Sequence, residues 1–341
     1  MNSEKVAVIV VNYKGIEDTK NSIASLLSQS YPHLKIVVVE NGSHDESVNE
    51  IKKLEQQHSK NLVALYNKTN TGFTGGVNTG IQWAMKNNYP YVALFNNDAV
   101  ADTKWLEELM NGMKKSDSYG IVTGLLLHED GKTIDTTGEQ YSTWGLAFPR
   151  NRDDKTEAAP KKPEEVLGAT GGATLYRAKM LESIGIFDAV LFAYYEDIDI
   201  SFRAQLAGWK VYYTPKAVAY HKQGATSKRM PSGFAVRQTF KNLPVVFTKN
   251  IPASLLLSMG FRFYFAYFLM IGNALKSGNG KAAFLGLWQS IMLAPHSLKE
   301  RRRIQQAKKV PTSYIKSLLW PDLPPNQTGV RRVRKFFTGK P

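Results

Sequence analysis

The strongest constraint on the fold is an alternation repeated through the first hundred residues: short apolar runs rich in β-branched residues, each followed by a stretch of helical spacing. Val6 to Val11 is apolar throughout and ends at Asn12-Tyr13, and Ile36 to Val39 ends at Glu40-Asn41-Gly42-Ser43. Runs without polar alternation suit strands buried on both faces of a parallel sheet. Between them Ile23, Leu26 and Leu27 form an apolar stripe within Asp18 to Gln29, so the unit reads as strand, helix, strand. The pattern continues with a helix over Ser47 to Gln57, a strand over Leu62 to Tyr66 and a helix over Gly76 to Lys86. A strand over Tyr91 to Phe95 then ends at Asn96-Asn97-Asp98. This predicts an α/β domain with a mostly parallel central sheet flanked by helices and joined by right-handed crossovers. Ligands of such sheets bind beyond the carboxyl ends of the strands, where Asn12, Glu40-Asn41 and Asn96-Asn97-Asp98 all fall.

Charge divides the chain. Residues 1–230 hold 26 Lys and Arg against 27 Asp and Glu, whereas residues 231–341 hold 18 against 2, so the formal net charge of +15 belongs to the last third. A main domain that wrapped nucleic acid would carry basic residues over its own surface, and this one does not. The division predicts a catalytic domain over 1–233 and a basic, aromatic-rich helical region over 234–341. Within the latter, Leu255 to Leu275 is strongly apolar, interrupted by Arg262 and Asn273, and Ala282 to Ala294 is a second apolar stretch containing Trp288. Basic clusters follow at Lys299 to Arg303, at Lys308-Lys309 and at Arg331 to Lys335. Helices lying in the headgroup layer of an anionic membrane explain both features. A single spanning helix, which would bury Arg262 at about 2.5–3.5 kcal/mol, and a buried or homodimer-forming helix are the alternatives. Cysteine is absent, which removes thiolate metal sites and thiol nucleophiles. The first apolar run is too short for a secretory signal, so a cytoplasmic location is expected. The polar stretch from Arg150 to Glu165 reads as a mobile loop.

Four constellations could carry chemistry. Asp98, at the end of a strand, could hold a divalent cation against a diphosphate, or could simply cap the helix that follows. Tyr194-Tyr195-Glu196-Asp197-Ile198-Asp199 opens a helix, where crowded carboxylates raise the proton affinity of one of them as a general base requires. The same acids would also complement a helix dipole, and Asp199 with Arg203 makes an i,i+4 pair. Asn70 to Gly80 is a Gly-rich turn entering a helix, suited to close approach of a ligand, though it matches neither a Walker A nor a dinucleotide pattern. His221 is a lone histidine, structural or a metal ligand.

The order of these pieces is more specific than any one of them. With Val10-Val11-Asn12-Tyr13, Gly171-Gly172-Ala173 and His221 included, residues 5–230 resemble a family 2 glycosyltransferase of the GT-A fold, in particular bacterial rhamnosyltransferases acting on polyprenyl-diphosphate-linked sugars. The resemblance implies a Rossmann-like sheet and a nucleotide-sugar site formed by Val11, Asn12, Tyr13, Glu40, Asn41, Ser43, Gly72, Gly75, Gly76, Asn78, Asn96 and Asn97. It implies Mg²⁺ or Mn²⁺ held by Asp98 and His221, and Asp197 as the base that deprotonates the acceptor, assisted by Glu196. Gly171, Gly172 and Tyr195 would meet the acceptor. The first acidic position of the family's metal motif is here Asn96, an amide without charge. By resemblance the donor is dTDP-rhamnose and the acceptor a lipid-linked saccharide at the cytoplasmic face of the membrane. A sugar nucleotidyltransferase and a non-catalytic membrane adaptor are the rival readings. The first would carry a Gly-rich Arg/Lys loop where Asn12-Tyr13-Lys14-Gly15 stands, and the second leaves the acids at strand and helix starts unexplained.

Overall fold

The structure, a computed structural model, describes residues 4–224 and 230–325. It divides into two compact units, one of Met1–Glu139 with Pro149–Met230, the other of Gln140–Phe148 with Pro231–Pro341. The short segment 140–148, assigned to the first domain from the sequence, belongs to the second unit.

In the first unit the expected alternation appears as β1 (Val6–Asn12), α1 (Ile16–Leu27), β2 (Leu34–Asn41), α2 (Ser47–Gln57), β3 (Leu62–Asn67), α3 (Gly72–Lys86) and β4 (Tyr91–Phe95). β1 pairs in parallel with β2 and β4, and β2 with β3. Side chains of β1 alternate between two cores, as the twofold period of a strand requires. Val6, Val8 and Val10 face Ile23, Leu26, Trp105 and Leu106, while Ala7 and Ile9 face Val77 and Ile81. Both faces are therefore covered by helices, which is why β1 reads as one continuous apolar run.

The chain then continues through β5 (Ala99–Ala101), α4 (Trp105–Met113), β6 (Tyr119–His128), β7 (Ile134–Thr136), β8 (Glu139–Tyr141), β9 (Ala147–Pro149), β10 (Glu164–Val166), β11 (Ala173–Arg177), α5 (Ala178–Ile184), α6 (Glu196–Leu206) and β12 (Lys210–His221), with β8 and β9 paired as a small sheet of their own and the other strands joining the main sheet. The order of the main sheet is β10-β12-β6-β11-β4-β1-β2-β3. The sheet, expected to be mostly parallel, is parallel from β4 to β3 and mixed in its other half. β12 runs parallel to β6, but β11 lies antiparallel to both β4 and β6. This sets the start of β11, Ala173, beside the end of β4, Phe95.

The stretch from Arg150 to Glu165, expected to be a mobile loop, is instead tied into backbone ladders. Ile134 N–H donates to Asp154 O at 2.9 Å, Asp153 N–H to Ile134 O at 2.9 Å and Arg150 N–H to Gly138 O at 2.9 Å. β10 pairs with β12. Order there comes from main-chain hydrogen bonds with few apolar side chains, which a hydrophobicity pattern does not register.

The second unit is helical: α7 (Phe234–Asn250), α8 (Ala253–Lys276), α9 (Gly280–Met292), α10 (Ala294–Gln306) and α11 (Thr312–Leu318). Arg301 Nη1 donates to the carbonyls of Thr248 and Ile251, both at 2.7 Å, satisfying acceptors left open at the end of α7. α8 buries Met259, Phe263, Ala266 and Tyr267, with Phe263 stacked on Phe247 at 4.4 Å and Tyr267 Oη donating to Phe240 O at 2.6 Å. The basic cluster Arg331 to Lys335 lies outside the described residues.

Asp199 and Arg203 form the pair expected from their spacing, and the structure buries it: Arg203 Nε lies 2.9 Å from Asp199 Oδ2, with both side chains almost fully enclosed. The same guanidinium donates to the carbonyls of Ile184, Gly185 and Ile186, closing the end of α5. Arg203→Met removes the guanidinium that neutralises the buried Asp199 carboxylate, so urea denaturation should report a loss of about 3–5 kcal/mol. A loss within the range of an exposed ion pair would refute this role.

Candidate active site

All the parallel strands of the first unit end at one edge, and β11 begins there. β1 delivers Asn12 opposite Glu40 of β2, and Asn41 lies opposite Asn67 of β3. β12 delivers His221 opposite Ala99. These registers gather residues distant in sequence along one rim.

At its centre stand Asp98 and His221. His221 Nε2 lies 3.0 Å from Asp98 Oδ1 and 3.1 Å from Asn96 Nδ2. On the ring's other side Nδ1 lies 2.6 Å from Oδ2 of Asp135, a residue of β7 that the sequence reading did not single out. Burial by itself would lower the His221 pKa, but the hydrogen bonds to Asp135 and Asp98 outweigh it and raise it to about 9. Burial likewise pushes the Asp135 carboxyl up, and His221 and Arg152 together hold it below the ordinary range.

The second acid lies one loop away. Asp197, near the start of α6, accepts from Ile198 N–H at 2.8 Å and from Gly171 N–H at 3.4 Å. It keeps a partly exposed face, yet the protein around its carboxyl raises its pKa against those two backbone donors. Gly172 O accepts from Asn96 N–H at 2.8 Å. The dipeptide Gly171-Gly172 therefore joins Asp197 to Asn96, whose side-chain amide lies beside His221. Glu196 is buried beside Asp197. Tyr194 and Tyr195, just before these acids, have left-handed φ values of 70° and 69°, the kind of strain found where a site over-determines the chain. Glu139, also missed from the sequence, is buried, and burial together with the charge of Asp197 pushes its carboxyl well upward.

Several of the residues expected to meet a nucleotide lie at the neighbouring strand ends, held by their own hydrogen bonds. Asn12 Oδ1 accepts from Thr19 Oγ1 at 2.8 Å, and Asn97 Nδ2 donates to the same hydroxyl at 3.1 Å. The Glu40 carboxylate receives the N–H groups of Gly42 and Ser43 at 3.1 and 2.9 Å, and Ser43 Oγ receives that of Lys14 at 2.9 Å. Asn41 Oδ1 accepts from Thr71 Oγ1 at 2.8 Å and its Nδ2 donates to Gly72 O at 3.0 Å. Val11 and Tyr13 are half-buried, with Lys14 Nζ 5.5 Å from the Tyr13 ring centre.

The glycines of the Gly-rich turn lie against neighbouring elements. Helix α3 begins at Gly72, and its glycines serve close packing. A Cβ on Gly72, whose φ is +74°, would lie 2.4 Å from the Phe192 carbonyl, and one on Gly76 would lie 2.6 Å from Val11 Cγ1. Gly75 is a helix residue whose Cβ would meet the Thr71 side chain. Asn78 spends both ends of its amide on the Phe187 backbone, donating at 2.8 Å and accepting at 3.1 Å. It anchors the chain leading to the acids.

Among the described residues no three His, Asp or Glu side chains converge to hold a metal unaided. Asp98 and His221 nonetheless suit one: a carboxylate and an imidazole nitrogen converge at hydrogen-bond distance on the open rim. A divalent cation would complete its shell there with diphosphate and water oxygens.

Comparison with known proteins gives a consistent result. The family model described as glycosyl transferase family 2 matches residues 7–185, just over half of the chain. The poly-beta-1,6-N-acetyl-D-glucosamine synthase of Staphylococcus epidermidis is 25% identical over 224 residues, which are 64% of this chain and 50% of the synthase. The chain thus spans about half the length of that relative. The low-salt glycan biosynthesis hexosyltransferase Agl10 of Haloferax volcanii is 27% identical over 247 residues, 70% of this chain and 74% of the relative. Among solved structures, the mannosyltransferase PcManGT from Pyrobaculum calidifontis, in complex with GDP-Man and Mn²⁺, superposes with a TM-score of 0.54 at 15% identity. That match covers 89% of this chain and 85% of the other, and it shows a shared fold.

Because His221 is raised in the folded, metal-free protein, its bonds to Asp98 and Asp135 stabilise fully below the ordinary histidine pKa and are lost as pH rises through about 9. Thermal melts between about pH 6 and pH 10 should therefore fall more steeply for the wild type than for His221→Gln. Parallel curves would contradict the assignment.

Proposed function

The chain belongs to glycosyl transferase family 2, and from that premise we propose that it moves a sugar from a nucleoside-diphosphate sugar to an acceptor hydroxyl, inverting the anomeric configuration. The observation that carries this reading is the link from the Asp98–His221 pair to Asp197 through Gly171-Gly172. Asp197, its proton affinity raised by its surroundings, takes the acceptor's proton as the acceptor oxygen attacks the anomeric carbon. The bond from that carbon to the diphosphate breaks, and the nucleoside diphosphate leaves with the bonding pair. Glu196 orients the base, and the backbone of Gly171-Gly172 with Tyr195 borders the acceptor. A Mg²⁺ or Mn²⁺ ion held by Asp98 and His221 would neutralise the charge that grows on the leaving diphosphate. Asn12, Tyr13, Glu40 and Ser43 border the nucleotide.

The donor we propose is dTDP-L-rhamnose, on the resemblance drawn from the sequence. The relatives' names supply the alternatives: an N-acetylglucosaminyl or another hexosyl donor, in glycan synthesis. A sugar nucleotidyltransferase is disfavoured by Asn12-Tyr13-Lys14-Gly15 after β1, which lacks the Arg/Lys loop of that chemistry.

The acceptor is proposed to be a polyprenyl-diphosphate-linked saccharide at the cytoplasmic face of the membrane. Support comes from the second unit. Of the large apolar side chains left exposed, those on α8 include Leu257, Phe261, Phe265 and Phe268, and those on α9 include Phe284, Trp288 and Met292. On α8 they recur at helical spacing opposite the buried Met259, Phe263 and Tyr267, so that helix is apolar all round but covered on one face only. It is long and apolar enough to cross a membrane, but Arg262 and the strongly basic sequence around it favour lying at an anionic surface. A second copy of the chain is the competing occupant.

Two outcomes are expected. Asp197→Asn should lower turnover by about 10²-fold or more while nucleotide affinity stays unchanged, measured as released nucleoside diphosphate and by calorimetry. Retained turnover would remove Asp197 from the base role. The wild type should float with vesicles of phosphatidylcholine and phosphatidylglycerol, less so at high salt, and the double variant Phe261→Glu/Phe268→Glu should not. A dimer in solution that ignores such vesicles would overturn the membrane reading.

A further inference from the structure

His221 is gripped from behind as firmly as it faces the rim. Asp135 is 2% exposed and lies on β7, the short strand laid antiparallel on β6. Its Oδ2 takes His221 Nδ1 at 2.6 Å. Its Oδ1 takes Arg152 Nη2 at 2.5 Å and Gln223 Nε2 at 2.6 Å. Arg152 Nε also donates to the Asp135 carbonyl at 3.1 Å, so one guanidinium holds both the side chain and the main chain of this residue. The carboxylate has no freedom to turn. Because it can only accept, it keeps a hydrogen on Nδ1, so the nitrogen that would give up its hydrogen to a cation beside Asp98 is Nε2.

We propose that Asp135, anchored by Arg152 and Gln223, is a positioning residue that fixes the ring plane and tautomer of His221 so that Nε2 is presented to a divalent cation shared with Asp98. The proposal rests on the metal reading of the preceding subsection and assigns a purpose to the ladder between Ile134–Thr136 and 150–155. That ladder carries Asp135 on one side and Arg152 on the other. A ligating imidazole whose second nitrogen is held by a carboxylate is better oriented and more basic, and loss of such a partner weakens metal binding by about 10–100-fold.

The test measures Mn²⁺ binding to the full chain by electron paramagnetic resonance, with the pulsed nitrogen modulation of bound Mn²⁺ as the report on His221 itself. Asp98→Ala and His221→Ala serve as references. Asp135→Ala should weaken Mn²⁺ binding by about 10–100-fold and diminish the nitrogen modulation, while dTDP or UDP binding without metal is unchanged. Asp135→Asn keeps the shape and can still accept from Nδ1–H, so it should retain the modulation and lose less affinity. If Asp135→Ala does not fold, Asp135→Asn and Gln223→Ala still decide the matter, because both should loosen Mn²⁺ without abolishing its nitrogen ligand. Unchanged affinity and modulation in the Asp135 and Gln223 variants, with both lost in His221→Ala, would overturn the positioning role and leave the metal reading standing. If neither Asp98→Ala nor His221→Ala altered Mn²⁺ binding, both would fall.

Discussion

The reversal of one strand organises the site. β11 runs against β4 and β6, between which it is inserted, so its leading residues Thr170 to Gly172 emerge at the edge where every parallel strand stops. A parallel strand in that position would deliver its carboxyl end to the rim and send its start to the far side of the sheet. With the reversal, Gly172 O meets Asn96 N–H and Gly171 N–H meets Asp197, so the pair Asp98–His221 and the acid of α6 share one stretch of backbone. The glycines keep that stretch slender: a Cβ on Gly172 would press within 3.1 Å of the Asn96 amide nitrogen. The proposed chemistry needs an acid that accepts a proton and a cation site for a leaving diphosphate, and this strand brings the candidates for both to one rim.

Much of this was legible in the sequence because the relevant physics is local. β1 to β4 announce themselves as apolar runs, since both faces of their sheet are covered, and polar residues at their ends mark the rim. The pair Asp199–Arg203 follows from i,i+4 spacing. What escaped has a common cause. Residues 128–165 contain few apolar side chains and are ordered by backbone ladders and by Arg152, Asp135 and Gln223, whose partnership depends on strand registers that no spacing rule reveals. Asp135 and Glu139 were hidden there. The packing of the Gly-rich turn escaped for another reason, because glycines that admit a ligand and glycines that admit a neighbouring element look alike until Phe192 and Val11 are found against Gly72 and Gly76.

The second unit explains the charge imbalance without involving the site. The nearly neutral residues 1–230 build the sheet, and the 18 basic residues beyond them accompany helices that keep one apolar face covered and leave another exposed. If the acceptor is lipid-linked as proposed, an enzyme residing at an anionic surface gains because the acceptor diffuses there in two dimensions.

The central claim is a single in-line displacement in which Asp197 is the base and no side chain is glycosylated. The most direct measurement is the anomeric configuration of the product, read by NMR after the protein is incubated with nucleotide sugars and a lipid-linked acceptor. The account predicts a product whose linkage is inverted relative to the donor. Retention of the donor's configuration would contradict it.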